Sequence, residues 1–291
     1  MKRRKLQILL ILFVFITALY VLSGMVRREV EFAIPVDSSV NELFVTVQPA
    51  VPTFDGRKVD SVYDKIAKAT GGSLFVMDKN SDSVVPMNAS FYTEVVMVSK
   101  AKLVAGDSPI VLNLYSPSGE ELPVKQEGVE STNLNSGKVI SIKSPKVGIW
   151  KAKVTGSNEV SIKVTAKTNI YILDAKLVEL GGRTGHQGYF QKDDQTPYSG
   201  KKEMLEITIS KGSSIIPEND HNISNLKFAF ISEDGKVLRY LENMQPENSR
   251  GEDFFGEVTI PDKNFMIAML GTDDKGIAFQ RNFAPLFEPK K

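Results

Sequence analysis

Residues 30–47 read VEFAIPVDSSVNELFVTV. Val30, Phe32, Ile34 and Val36 alternate with Glu31, Ala33, Pro35 and Asp37, the period of two that gives a strand one buried face. Asp37-Ser38-Ser39 is turn chemistry, and Leu43, Val45 and Val47 then alternate with Phe44 and Thr46. Two alternating runs around a short polar turn predict two strands.

The same signature recurs along the chain. Short apolar runs occur at Val95–Val98, Ile110–Tyr115, Val139–Ile142, Trp150–Val154, Val160–Val164 and Ile170–Leu173. The last third adds Leu205–Ile209, Leu226–Ile231, Lys236–Tyr240, Gly256–Ile260 and Phe265–Leu270. Turn residues punctuate them at Ser116-Pro117-Ser118-Gly119, Thr155-Gly156-Ser157-Asn158, Glu233-Asp234-Gly235 and Thr272–Gly276. This spacing predicts a mainly β chain folded as two tandem antiparallel β-sandwiches. Val160–Val164 is expected to close the first sandwich (29–168) and Ile170–Leu173 to open the second (169–291). Thr165–Asn169 then reads as a linker of at most about 18 Å, short enough to hold the halves in contact. Tyr171 or Leu173 is expected to cover the junction.

One segment departs from the alternation. Val59, Val62, Tyr63, Ile66 and Ala69 fall at helical spacing, with Asp60 as a plausible N-cap and Gly71-Gly72 as a stop. A strand at Ser73–Met77 should follow. Residues 49–87 are therefore expected to form a helix-strand insert in or beside the first sandwich.

The N-terminus has a different character. Lys2, Arg3, Arg4 and Lys5 precede an uncharged run, Leu6–Val26, which Arg27 and Arg28 close. As a helix rising about 1.5 Å per residue, that run spans a bilayer of roughly 30 Å. The excess of basic residues before it favours a cytoplasmic N-terminus, leaving residues 29–291 outside the cytoplasm. An uncleaved signal anchor is favoured over a cleaved signal peptide, because the apolar run is long and no small-x-small site stands out. Cleavage would instead make the protein secreted.

Composition narrows the function classes. The chain carries 36 Lys+Arg and 35 Asp+Glu. Six of the bases and none of the acids lie within residues 1–28, which leaves 30 against 35 in the remainder. A mildly acidic, mixed-sign body has no electrostatic footprint for nucleic acid. With no cysteine, thiol catalysis, thiolate metal sites and disulfides are excluded. About 260 residues can bury a core without disulfides.

Candidate chemistry is sparse. His221 sits in the polar loop Glu218–Asn222. His186 lies in Gly181-Gly182-Arg183-Thr184-Gly185-His186-Gln187-Gly188, which matches neither phosphate-loop pattern. No G-x-S-x-G element accompanies it, so a hydrolase centred on His186 is a minor alternative. The acidic pairs Asp193-Asp194, Glu252-Asp253 and Asp273-Asp274 read as solvated turn positions, with an exposed calcium site at a loop end as the alternative. Trp150 is expected to start a strand and cover the core, with sugar stacking as the functional alternative. No catalytic residue, cofactor or metal site is assigned. Asn88 and Asn222 fit N-x-[ST] and are candidate glycosylation sites in a eukaryotic host.

Four stretches in order carry a family resemblance: FAIPVDSSVNELFVTV (32–47), IVLNLYSPSG (110–119), PKVGIWKAKVTGSNEVSIKV (145–164), and HQGYF (186–190) with SEDGKVL (232–238) and GIAFQR (276–281). The sequence resembles the region that follows the von Willebrand A domain in hemicentins and in von Willebrand factor A domain-containing protein 7. That resemblance implies a galactose-binding-like sandwich followed by an immunoglobulin-like one, over roughly residues 30–284. VYDKIAKATGGSLFVM (62–77) looks like the last helix and strand of an A domain, but the body of that domain is missing. Asp37-Ser38-Ser39-Val40-Asn41 has a faint likeness to its D-x-S-x-S metal motif, ends in Asn, and reads as a turn. The metal-dependent adhesion site is therefore not carried over. The expected function is a non-catalytic, membrane-tethered, extracytoplasmic interaction or adhesion module with a protein or glycan partner. A carbohydrate-binding module, favoured if Tyr92, Tyr115 or Trp150 cluster exposed, and an envelope hydrolase are the alternatives.

Overall fold

The computed structural model describes residues 29–49, 53–54, 57–58, 60–69, 74, 93–103, 109–123, 126–134, 137–156, 158–211, 223–247 and 251–291. The Leu6–Val26 run, the Ser73 and Phe75–Met77 part of the expected strand, Tyr92, His221, Asn88 and Asn222 lie outside these residues. Among the described residues no helix is long and apolar enough to cross a membrane.

The N-terminal half begins with β1 (Glu29–Val36) and β2 (Val40–Pro49). These strands do not pair with each other. β1 lies antiparallel to β9 (Gly148–Thr155), with β6 (Val111–Tyr115) on the other side of β9. β2 lies instead between β10 (Glu159–Thr168) and β8 (Lys138–Lys143), in a second sheet that also holds β5 (Thr93–Lys102) and β7 (Val129–Asn133). The turn at Asp37-Ser38-Ser39 thus crosses from one sheet to the other. Ile34 and Val36 of β1 and Trp150, Ala152 and Val154 of β9 meet Leu43, Val45 and Val47 of β2 and Val160, Ile162 and Val164 of β10 in one core. Period-two alternation on both sheets supplies its facing surfaces.

The C-terminal half places β12 (His186–Gln191), β11 (Ile170–Arg183), β13 (Lys202–Lys211), β17 (Asp253–Thr259) and β16 (Gln245–Pro246) in a five-stranded sheet. Opposite it run β15 (Val237–Tyr240), β14 (Ser224–Ile231), β18 (Phe265–Thr272) and β19 (Ala278–Phe287). Their core holds Leu205, Ile207, Phe228, Phe230, Ile267 and Phe279. Along β11 the buried residues change parity: Ile170 and Ile172 face inward, then Ala175 and Leu177. A register shift between Ile172 and Asp174 is responsible, one extra residue turning the following side chains over.

The halves do not form separate bodies joined by a linker. β19 pairs with β5 at Asn282 and Val95, so strands of both halves form one antiparallel nine-stranded sheet, β15-β14-β18-β19-β5-β10-β2-β8-β7. Of the residues expected as a linker, Thr165–Asn169, the first four are the last rungs of β10, paired to β2 and β5, and Asn169 alone separates them from β11, which starts at Ile170. Leu173 does not cover the junction. The bulge leaves it 60% exposed.

The insert contributes the hairpin β3 (Thr53–Phe54) and β4 (Arg57–Lys58) and the helix α1 (Ser61–Ala69). Asp60 caps α1, its carboxylate accepting the Val62 N–H at 3.0 Å. α1 meets β19, and Gln48 of β2 donates to the Leu74 carbonyl at 3.1 Å, so the insert touches both halves. The apolar stripe that predicts the helix is not its buried face: Val62, Tyr63 and Ile66 stay exposed.

Candidate functional site: a sealed seam and a projecting ribbon

The Asp37 turn lies where the halves meet. Asp37 and Arg281 of β19, 244 residues apart, form an ion pair at 2.7 Å with neither side chain accessible. Arg281 Nη2 also reaches Ser39 Oγ at 3.0 Å and Thr168 Oγ1 at 3.1 Å. Its Nε donates to the Ile170 carbonyl and its Nη1 to the Gln280 carbonyl, both at 2.9 Å. The other Asp37 oxygen accepts the Ser39 N–H and hydroxyl. One guanidinium therefore ties together the β1–β2 turn, the end of β10, the start of β11 and β19. Desolvating two charges costs several kcal/mol per ion, and a buried pair persists only where such hydrogen bonds satisfy it.

A second clasp lies beside the first. The Ser38 N–H donates to Asp273 Oδ2 at 2.9 Å, and the Ser38 hydroxyl donates to Asp274 Oδ1 at 3.0 Å. Asp273 also accepts the N–H groups of Lys275 and Ile277. Burial pushes this carboxyl up, but the N–H donors of Ser38, Ile277 and Lys275 outweigh it and hold Asp273 below the ordinary carboxylate range. The expectation of a solvated turn is wrong for Asp273, which is buried, and holds for exposed Asp274. Asp37 and Arg281 neutralise each other away from solvent, and Asp273 is held by backbone N–H donors. Its chemistry is that of a lock.

The remaining candidates are not gathered into one place. Trp150 is 3% exposed and its indole N–H donates to the Lys146 carbonyl at 2.8 Å, so its ring covers the core and is closed to a sugar. Tyr115 is half-buried with Lys153 above its ring. Asp193 and Asp194 are exposed, and Asp194 accepts the Thr196 N–H. Asp253 accepts the Thr208 hydroxyl at 2.8 Å. Among the described residues no cluster of His, Asp and Glu could hold a metal ion.

His186 is exposed near the tip of a ribbon. β11 and β12 pair from Val178–Gln191 to Arg183–His186 around the turn Thr184-Gly185. The glycines serve this hairpin. Gly182 has φ +96°, and a Cβ there would fall 2.2 Å from the His186 carbonyl oxygen. Phe190 lies over Gly181. β13 follows β11 only as far as Val178, so Glu179–Arg183 project with β12 as their strand partner. Tyr189 stacks on Phe255 with centroids 5.0 Å apart, yet Leu180, Tyr189 and Phe190 all remain exposed.

A cavity of about 280 Å³ opens beside the ribbon's base, lined by Phe230, Phe265, Phe283 and Phe287 among others. Lys176 at its rim pairs with Glu206 at 3.0 Å, which with Asp174 raises the lysine's pKa, and Gln195 spans the Leu177 N–H and carbonyl.

Arg281 escaped the sequence reading although a signal was present. Phe279, Arg281 and Phe283 share the inward parity of a strand, and a cation in that series calls for a buried anion.

Comparison with known proteins places this architecture in a context. A family model described as "Hemicentin galactose-binding domain-like" matches residues 95–169, the stretch from β5 to the junction. Hemicentin-1 of Mus musculus is 23% identical over 247 residues, covering 76% of this chain and 4% of that protein. The chain thus spans a small part of its relative's length. These matches are consistent with a hemicentin-related β-rich region at family level. The crystal structure of Bacillus licheniformis lipase BlEst2 in propeptide form aligns with 87% of this chain and 41% of its own, at 13% identity. Its TM-score of 0.25 carries no argument about fold or function.

Proposed function

We propose that this protein is a non-catalytic, membrane-tethered, extracytoplasmic interaction or adhesion module. A galactose-binding-like half (29–168) is followed by an immunoglobulin-like half (169–291). The observation that carries the reading is the seam. A shared sheet and a buried Asp37–Arg281 pair make the halves one stiff unit, suited to presenting a distal surface. The hemicentin similarity supports the interaction class, and the apolar run Leu6–Val26 between basic clusters supports the tether.

The test is topological. In intact cells the full chain should be digested by external protease and should stay with membranes after a carbonate wash. Digestion only after the cells are opened would reverse the proposed orientation. A soluble mature form beginning between Ser23 and Glu29 would replace the tether by secretion.

A further inference from the structure

The two large sheets have four outer strands, and three carry the features that discourage edge pairing. β15 has Arg239, β7 has Glu130 and β16 has Pro246. β12 has none. Its sequence HQGYFQ holds no lysine, arginine, acid or proline, and every residue but half-buried Gly188 is exposed. Tyr189 and Phe190 lie on this edge, with Leu180 opposite Tyr189 on β11. An uncharged, aromatic outer strand on a projecting ribbon is a template for strand addition.

We infer that β12 is a homodimerisation edge, pairing antiparallel with β12 of a second copy about a two-fold axis near Gly188. Charge selects this occupant. Exposed Arg183 stands at the ribbon's tip, where β12 begins, and exposed Asp193 and Asp194 follow where it ends. Antiparallel self-pairing brings the basic end of each copy beside the acidic end of the other. Between them lies a neutral strand that places no like charges face to face. A two-fold axis uses the same patch on both subunits, as an isologous dimer requires. Near the axis, Tyr189 and Phe190 of one copy lie across from Gln187 and His186 of the other, where the rings gain cover. A six-residue edge buries less than the roughly 800 Å² per partner of standard stable interfaces, so the dimer is weak, in about the micromolar range or above. This inference deepens the interaction-module reading by naming a partner. Its test is independent of topology, so either can fail without the other.

The chain's lack of cysteine supplies a clean probe. A Cβ added at Gly188 meets nothing within 4 Å, so both Gly188→Cys and Gly188→Lys should fold. In the full chain in detergent, Gly188→Cys should form a disulfide dimer on mild oxidation. Ser118→Cys, in an exposed turn of the other half, should not. Sedimentation should show a concentration-dependent dimer that Gly188→Lys abolishes without moving the urea midpoint. Arg183→Glu should weaken it about tenfold, because the two-fold axis makes the contact twice and each exposed ion pair is worth about threefold, and Asp193→Arg added to it should restore it. Monomer from micromolar to near-millimolar concentration would overturn the inference. So would equal cross-linking at Ser118, or a dimer indifferent to Gly188→Lys.

Discussion

The seam and the ribbon are opposite solutions to the placement of polar groups in a β protein. At the seam, the Asp37–Arg281 charges are sealed inside and all three guanidinium nitrogens of Arg281 donate hydrogen bonds, to Asp37, Ser39, Thr168, Ile170 and Gln280. On the ribbon, a strand edge and three large apolar side chains are left in solvent. Buried polar groups are costly when a partner is removed, whereas exposed ones are cheap to change. Stability should therefore be concentrated at the seam, and freedom to evolve a contact surface at the ribbon.

The sharpest way to break the comparison is Arg281→Met. It strands a buried carboxylate and should cost about 3–5 kcal/mol in urea unfolding. The double variant Arg281→Met with Asp37→Leu removes both charges and should recover most of that loss. Equal destabilisation by the single and double variants would mean that packing, rather than the charge pair, closes the seam.

A smaller effect is expected at the second clasp. Asp273→Asn weakens hydrogen bonds to a charged acceptor and should cost about 1.5–3 kcal/mol at pH 7. Because the folded carboxyl titrates below its ordinary value of 3.8, its stabilisation is complete above that pH and is lost as pH falls through the folded value. The gap between Asp273→Asn and the parent should accordingly close in acid. A gap that persists at pH 2 would assign the cost to shape instead of charge.

Lys163 tests the sheet next to the seam. On β10 between Thr46 of β2 and Val98 of β5, it has its pKa lowered by burial to about 8. Between pH 8 and 10.5 the unfolded chain binds more protons than the folded one, so stability rises with pH through that window. Lys163→Met should raise the melting temperature at pH 7, with the gain shrinking toward pH 10.5. A gain independent of pH would point to packing alone.

The ribbon should show the smallest change. Phe190→Ser removes an exposed ring and should alter unfolding free energy by no more than about 0.5 kcal/mol. A loss approaching that of Arg281→Met would erase the distinction between the two regions.

Much of the local architecture was legible. The alternation in VEFAIPV and the Asp-Ser-Ser turn named two strands and their boundary, and Asp60 before the helical spacing named a helix start. Each depends on residues within a few positions of one another. β12 was hidden because HQGYFQ, exposed along its length, has no apolar period to display. β7, reading VESTN, has Val129 as its one apolar residue and so shows no apolar period either, although Val129 and Thr132 are buried. The helix shows the reverse error: its spacing was right, yet Val62, Tyr63 and Ile66 face outward, since periodicity states that a stripe exists and not what will cover it.

By itself, the sequence determined the β character, the turn positions, the absence of thiol chemistry and a bilayer-length apolar run. These follow from residue type and short-range spacing. Only the tertiary structure decided that residues 165–168 continue a strand, that one sheet runs through both halves, and that Arg281 finds Asp37. Those outcomes rest on strand order and register between segments far apart in the chain. A single bulge after Ile172 was enough to change which residues of β11 face the core, from even to odd positions, and no local pattern encodes that choice.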